Sequence, residues 1–288
     1  LKLQTYTADT LTLDVKGNEF FISDEKNLWK GQSLHTLYQK SYTPWEWHKP
    51  IMLRANELGM ICFSSPFDET AVDFLEELEV PAYKIASPEI IHIPLIKKVA
   101  STGKPIIVST GMASVGEIDE AIVTIRGTGC NQIILLKCTS SYPASPSDCN
   151  LHTIPHMRAL FDCEIGFSDH TLGIGAAIAS VAHGATVIEK HLTLRRDDGG
   201  VDSAFSIEPY EMKNLVIESE RAWESLGQVK YGPTESEISN SKHRQSLYIA
   251  KNLRAGDILT KDNLRSVRPG LGLPPKYLSL LIGRKVNQ

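Results

Sequence analysis

The 288 residues are 42% hydrophobic and 22% charged, the composition of a globular protein with a sizeable core, in one large domain or a large and a small one. A formal charge of −4 and a pI near 6.2 argue against a general nucleic-acid or anionic-membrane surface, so any anionic substrate must meet cations gathered locally. No run approaches the roughly 18 apolar residues that span a bilayer. Five cysteines without CxxC spacing (Cys62, Cys130, Cys138, Cys149, Cys163) fit free thiols in a reducing cytoplasm better than disulfides or a structural zinc.

The chain opens in LKLQTY (1–6), with no turn signal, as though entering in mid-strand. Residues 8–48, with a WxW motif and scattered charges, read as a long insertion, and Trp45, Trp47 and His48 read as its packing. Short apolar, β-branched runs then recur: ICFSSPF (61–67), AYKIAS (82–87), PIIVST (105–110), QIILLKC (132–138), EIGFSDH (164–170) and VIEKHL (187–192). Their starts are 21, 23, 27, 32 and 23 residues apart, the length of a strand–loop–helix–loop unit. Asp68 is an N-cap candidate for one intervening helix, and Ser114 with Glu117 forms a capping box for another. Gly59, Gly103, Gly184 and Gly227 sit where helices should end.

Strands alternating with helices predict a parallel sheet, and seven such repeats suggest a barrel that closes with eight, the first strand being absent from this chain. An open doubly wound sheet is the alternative. The last helix (208–227) leads into a polar linker at 231–242, so the division is a barrel at 1–230 and a small domain at 243–288 that stops before completion.

In a barrel, strand ends and the loops after them face one mouth. They supply Lys2, Gln4, Ser64, Ser65, Lys84, Ser87, Glu89, Ser109, Thr110, Thr139, Ser140, Tyr142, Ser168, Asp169, His170, Glu189, Lys190 and His191. Two lysines among many hydroxyls suit a small phosphorylated or carboxylated anion. Lys84 reads first as an anion-binding lysine, with a Schiff-base lysine or a structural one as the alternatives. His170 and His191 end adjacent strands and point to a divalent metal with open positions. Glu189 is either a partner of a metal ligand or a charge pair with Lys190. Glu89 is a candidate general acid or base, Asp202 a candidate for substrate hydroxyls or a turn former, and His183 a structural residue.

KLQTYT, FSSPFD, YKIASPE, VSTGM, GFSDHT and IEKH, in order along the chain, resemble the signature segments of the sialic acid synthase family of N-acetylneuraminate, legionaminate and pseudaminate synthases. HRQSLYIAKNLRAGDILTKDNL is similar to the antifreeze-like (SAF) domain that ends them. The resemblance implies an α/β fold, a (β/α)₈ TIM barrel followed by that domain. It implies condensation of phosphoenolpyruvate with an N-acetylated amino sugar, with C–O cleavage and release of phosphate. It implies a divalent cation (Mn²⁺, Co²⁺ or Mg²⁺) on His170 and His191. Phosphoenolpyruvate would be met by Lys2, Ser65, Lys84, Ser87, Ser109, Ser140 and Ser168, with Gln4, Thr110 and Glu189 also lining the substrate site. Glu89, Tyr142 and Asp202 would face the reacting carbons and the sugar. Arg244 would meet the sugar's N-acetyl group across a domain-swapped homodimer. The family's EIGxNHxG segment lies outside this chain, which leaves the general base open between Glu89 and a glutamate not present, and CTSSYP stands where some members carry Asn. QTYTADT, YTPWEWH and FSSPFDETAVDFLE look most like the pseudaminate branch, whose acceptor is 2,4-diacetamido-2,4,6-trideoxy-L-altrose, used in surface glycans and flagellin modification. The rivals are a Schiff-base pyruvate aldolase on Lys84 and a non-catalytic sugar-binding protein.

Overall fold

The computed structural model describes residues 1–15, 17–25 and 27–287, in two compact units, Leu1–Leu226 and Gly227–Gln288. The first unit runs β1 (Lys2–Thr5), α1 (Ala8–Leu11), α2 (Leu34–Ser41), α3 (Trp45–Glu57), β2 (Phe63–Pro66), α4 (Glu69–Glu77), β3 (Tyr83–Ile85) and α5 (Ile93–Ala100). It continues with β4 (Ile106–Ser109), α6 (Val115–Gly127), β5 (Ile133–Cys138), α7 (Thr153–Phe161), β6 (Glu164–Asp169), α8 (Gly175–Ala182), β7 (Ile188–Lys190) and α9 (Pro209–Leu226). In the second unit α10 (Glu235–Ile238) precedes an antiparallel pair, β8 (Ser246–Ile249) with β9 (Leu264–Val267), and α11 (Leu278–Leu281) follows.

Helix boundaries follow local chemistry. The Asp68 side chain accepts from the Thr70 and Ala71 amides at 2.7 and 3.0 Å and starts α4. Ser114 and Glu117 close a reciprocal capping box on α6. Gly59 (φ 72°) and Gly184 (φ 88°) end α3 and α8 in the left-handed region.

The seven parallel strands lie in the order β1 to β7, without the reversal that defines a doubly wound sheet. They curl as in a TIM barrel. The Lys2 ammonium on β1 meets the Glu189 carboxylate on β7 at 2.9 Å, so the two outermost strands face each other across the interior. Strand alternation sorts the side chains. Tyr83 donates to Glu76 of α4 at 2.6 Å on the helix side, while its neighbour Lys84 reaches Glu189 inside. Ile106, Val108, Ile133, Leu135, Ile165 and Phe167 pack with the helices in the main core. Gly166 is required by close approach: a Cβ there would collide with the Val187 carbonyl oxygen and the Leu136 side chain. In the WxW segment Trp45 stacks on Phe74 (4.6 Å) and His48 bonds to Thr5 Oγ1 at 2.7 Å, as expected, whereas Trp47 is exposed and does not pack. Among the described residues no helix is long and apolar enough to cross a membrane.

Candidate active site

Inward-facing residues of β1, β3, β6 and β7 converge on one carboxylate. Glu189 Oε1 lies 2.9 Å from Lys2 Nζ and 3.5 Å from Lys84 Nζ, and accepts from Ser168 Oγ at 3.1 Å. Burial opposes its charge, but Lys84 and Lys2 overcome it and hold the carboxyl at about 2. Burial in turn lowers the Lys84 ammonium to about 8, with Glu189 limiting the fall. The charge-pair reading of Glu189 with Lys190 does not hold. Lys190 points out of the barrel and pairs with Asp169 at 2.8 Å, both ends being essentially inaccessible.

That alternation corrects three other mouth assignments. Asp169 and Lys190 form an outward clamp, Asp169 also accepting from the Thr171 amide and Lys190 donating to the Thr171 carbonyl. Ser64 turns outward onto Thr5 Oγ1 (2.7 Å). Thr139 spends its hydroxyl on the Asp148 carbonyl. His183, at the end of α8, packs edge-on against His152.

Around the lysines the hydroxyls divide in two. Ser65 and Thr110 donate to the Lys84 and Leu136 carbonyls, which commits their hydrogens to the backbone. Ser109 Oγ is buried with no partner among the described residues, and an unpartnered buried hydroxyl costs roughly 1–3 kcal/mol unless a ligand meets it. Ser87 Oγ accepts from the Gly111 amide at 3.0 Å. A side chain at Gly111 would collide with Ser140 Oγ, so glycine there keeps these two hydroxyls close. Gln4 lies two residues along β1 from Lys2, on the same strand face. Glu89 follows β3 in a short 3₁₀ turn (Ser87–Ile91), one of its oxygens buried without a partner. Burial pushes its carboxyl up to about 7 against the pull of its own amide and of Lys84.

His170 and His191 stand side by side, their ring centroids 5.3 Å apart. His170 Nδ1 lies 2.9 Å from the Thr139 carbonyl and His191 Nδ1 lies 3.2 Å from Asp202 Oδ2. Both partners accept from an Nδ1–H, which leaves each Nε2 as a lone-pair nitrogen. That is how metal-binding imidazoles are oriented. Among the described residues no three His, Cys, Asp or Glu side chains gather into a metal cage. A cation on these two rings would therefore keep positions open for water and substrate, which fits a catalytic rather than a structural ion.

An aromatic wall closes the histidine side. Tyr142 packs on His170 (4.6 Å) and Phe205 (5.3 Å), and Phe205 also meets His191 (5.0 Å). Burial raises the Tyr142 hydroxyl to about 12, with Cys138 and Asp202 adding to it, so it stays protonated. Residues 8–48 reach this region, an outcome not visible in their sequence. Trp29 lies against Tyr142, and Tyr38 of α2 has its hydroxyl raised by burial and by the Glu89 charge. Arg244 belongs to the second unit, where it is exposed just before β8.

The model of the NeuB family matches residues 1–231, and that of the SAF domain matches residues 244–288. A pseudaminic acid synthase of Campylobacter jejuni is 38% identical over 288 residues, covering 100% of this chain and 83% of the relative. An N,N'-diacetyllegionaminic acid synthase of Legionella pneumophila is 35% identical over 293 residues, covering 100% and 82%. Among solved structures, an N-acetylneuraminic acid synthetase of Leptospira borgpetersenii superposes with a TM-score of 0.71 at 32% identity, covering 83% of this chain and 78% of that one.

Proposed function

The chain belongs to the NeuB family, and from that premise we propose that it is a pseudaminic acid synthase, a transferase joining phosphoenolpyruvate to 2,4-diacetamido-2,4,6-trideoxy-L-altrose. The observation that carries the chemistry is the meeting of Lys2 and Lys84 on Glu189 inside the barrel, two ammoniums in the mouth that also holds the histidine pair. The acceptor rests on similarity to pseudaminic acid synthases along the whole chain. Five free cysteines support a reducing, cytoplasmic setting.

Phosphoenolpyruvate carries a phosphate and a carboxylate. Lys2 and Lys84 offer it fixed positive charge, and Ser109, Ser87, Ser140 and Ser168 offer hydroxyls. Holding it against the acceptor removes the entropy cost of encounter from the chemical step. Its methylene carbon bonds to the aldehyde carbon of the open-chain sugar, and the aldehyde oxygen takes a proton. Glu89 removes a proton from a water that adds at the phosphate-bearing carbon. The added hydroxyl then loses its proton as its oxygen forms the keto C=O bond, and the C–O bond to phosphate breaks with its electron pair leaving on inorganic phosphate. Tyr142 and Asp202 face the acceptor. His170 and His191 would hold a divalent cation (Mn²⁺, Co²⁺ or Mg²⁺), which when bound supplies Lewis-acid polarisation of the aldehyde oxygen. Arg244, a fork of donors suited to an amide oxygen, would serve the sugar from a second copy of the chain in a homodimer.

Phosphoenolpyruvate labelled with oxygen-18 at the bridging position should deliver the label to phosphate when a diacetamido sugar is supplied. Label kept in the sugar acid would mean P–O cleavage and a different reaction. The lowered Lys84 pKa also suits an imine-forming amine, so borohydride with pyruvate should leave the protein mass unchanged. An adduct on Lys84 would favour the aldolase reading.

The pH dependence has a definite sign. Glu89 must be deprotonated to act as base, so kcat/KM should rise as pH climbs through about 7. Lys84 must stay charged to hold the anion, so kcat/KM should fall beyond about 8. Glu89→Gln should remove the acid limb and keep the basic one. An acid limb that survives the substitution assigns the base to another group.

A further inference from the structure

The insertion at 8–48 has no role in the chemistry derived above, yet it sends Trp29 to the mouth. The Trp29 ring lies 6.0 Å from that of Tyr142, tilted by 48°. Its Nε1–H donates to the Val201 carbonyl at 3.0 Å, across 172 residues of sequence. Val201 immediately precedes Asp202, the partner of His191. The Trp29 backbone amide is tied in turn to Asn27 Oδ1 at 2.9 Å, which fixes the base of the side chain. Its ring therefore extends the Tyr142–Phe205 wall outward from the histidine pair, and it is only partly covered.

We propose that Trp29 is a specificity-determining residue, an aromatic face that receives an acetamido group of the acceptor sugar remote from the reacting carbonyl. The proposal rests on the synthase reading and deepens it. An acetamido group is planar, uncharged and ends in a methyl, so it gains from lying on a ring face. A hydroxyl in the same place gains nothing from the ring and is drawn away from water. The adjoining loop carries Gly199 and Gly200 at φ of 76° and 137°, a path open to glycine, and the indole N–H fastens that loop at Val201. The wall and the Asp202 loop are thus assembled by one side chain.

The test measures Michaelis constants in wild type, Trp29→Ala and Trp29→Phe, with 2,4-diacetamido-2,4,6-trideoxy-L-altrose as acceptor. Inhibition by the mono-acetamido sugar 2-acetamido-2-deoxymannose is measured alongside. Trp29→Ala should raise the KM of the diacetamido sugar roughly tenfold, while the KM of phosphoenolpyruvate and the inhibition constant of the mono-acetamido sugar stay within about twofold. Trp29→Phe keeps a ring face and loses the N–H, so it should remain within about threefold of wild type. A phenylalanine variant as impaired as alanine would assign the effect to the Val201 bond and overturn the wall. Normal wild-type turnover with an unchanged acceptor KM in Trp29→Ala would overturn this proposal alone. A wild type that releases no phosphate with any diacetamido sugar would overturn the synthase reading, and this proposal with it.

Discussion

Glu189→Ala should lower the thermal midpoint by roughly 6–12 °C and kcat/KM by at least about a hundredfold. The reason is local charge. Glu189 is the shared counter-ion of Lys2 and Lys84, and Lys84 is only 2% exposed. Removing one partner of a buried pair leaves uncompensated charge and costs about 3–5 kcal/mol. Here two ammoniums lose their partner together. With Glu189 gone, burial and mutual repulsion lower the Lys84 ammonium further below about 8, so the basic limb of the activity profile moves toward acid. The stabilising effect of Glu189 has the opposite pH sense. It is present above the ordinary carboxylate range and is lost as pH falls toward about 2. Millimolar inorganic phosphate should raise the midpoint of Glu189→Ala more than that of wild type, because the anion replaces the missing charge. Calorimetry showing an unchanged midpoint would mean that both lysines are solvated in the folded chain, and the anion site would fall with them.

Glu189 also marks how far the sequence could be read. The barrel was legible because, after the opening run, six short apolar runs recur at the length of a βα unit, and each strand forms where its run lies. Whether a given strand-end residue faces in or out was not, because alternation has a period of two and a one-residue ambiguity inverts the answer. Glu189 and Lys190 are adjacent and oppositely charged, which suggests a pair, yet the pleat sends one to Lys84 and the other to Asp169. Ser64 and Ser65 divide in the same way, Ser64 outward to Thr5 and Ser65 onto the Lys84 carbonyl. His170 and His191 escaped the ambiguity because each directly follows its strand, two residues beyond an inward residue, Ser168 and Glu189. Trp29 was out of reach for a different reason. Its partners lie at 142 and 201, and no local period in 8–48 encodes a contact of that span.

His191→Ala should abolish turnover, with a loss of at least about a thousandfold, and should abolish divalent-cation binding while leaving the thermal midpoint nearly unchanged. Calorimetric titration of chelator-treated wild type with Mn²⁺ should give one site per chain, and neither His191→Ala nor His170→Ala should give any. Asp202 orients His191 through Nδ1 at 3.2 Å, so Asp202→Asn should weaken cation binding by about 10- to 100-fold rather than remove it. Added Mn²⁺, Co²⁺ or Mg²⁺ should restore turnover to the chelated wild type. Full turnover by thoroughly chelated protein, or a binding isotherm in His191→Ala equal to wild type, would reject the histidine pair as a cation site. The same dead variant tests the role of Arg244. If Arg244 serves a second copy of the chain, mixing His191→Ala with Arg244→Ala and letting subunits exchange gives dimers in which one site carries both lesions and the other neither. Half of the randomly formed dimers are mixed and half of their sites are intact, so activity should return to about a quarter of wild type. If each arginine serves its own chain, every site keeps one lesion, and a mixture that stays inactive after exchange is confirmed by mass spectrometry would exclude the shared arrangement.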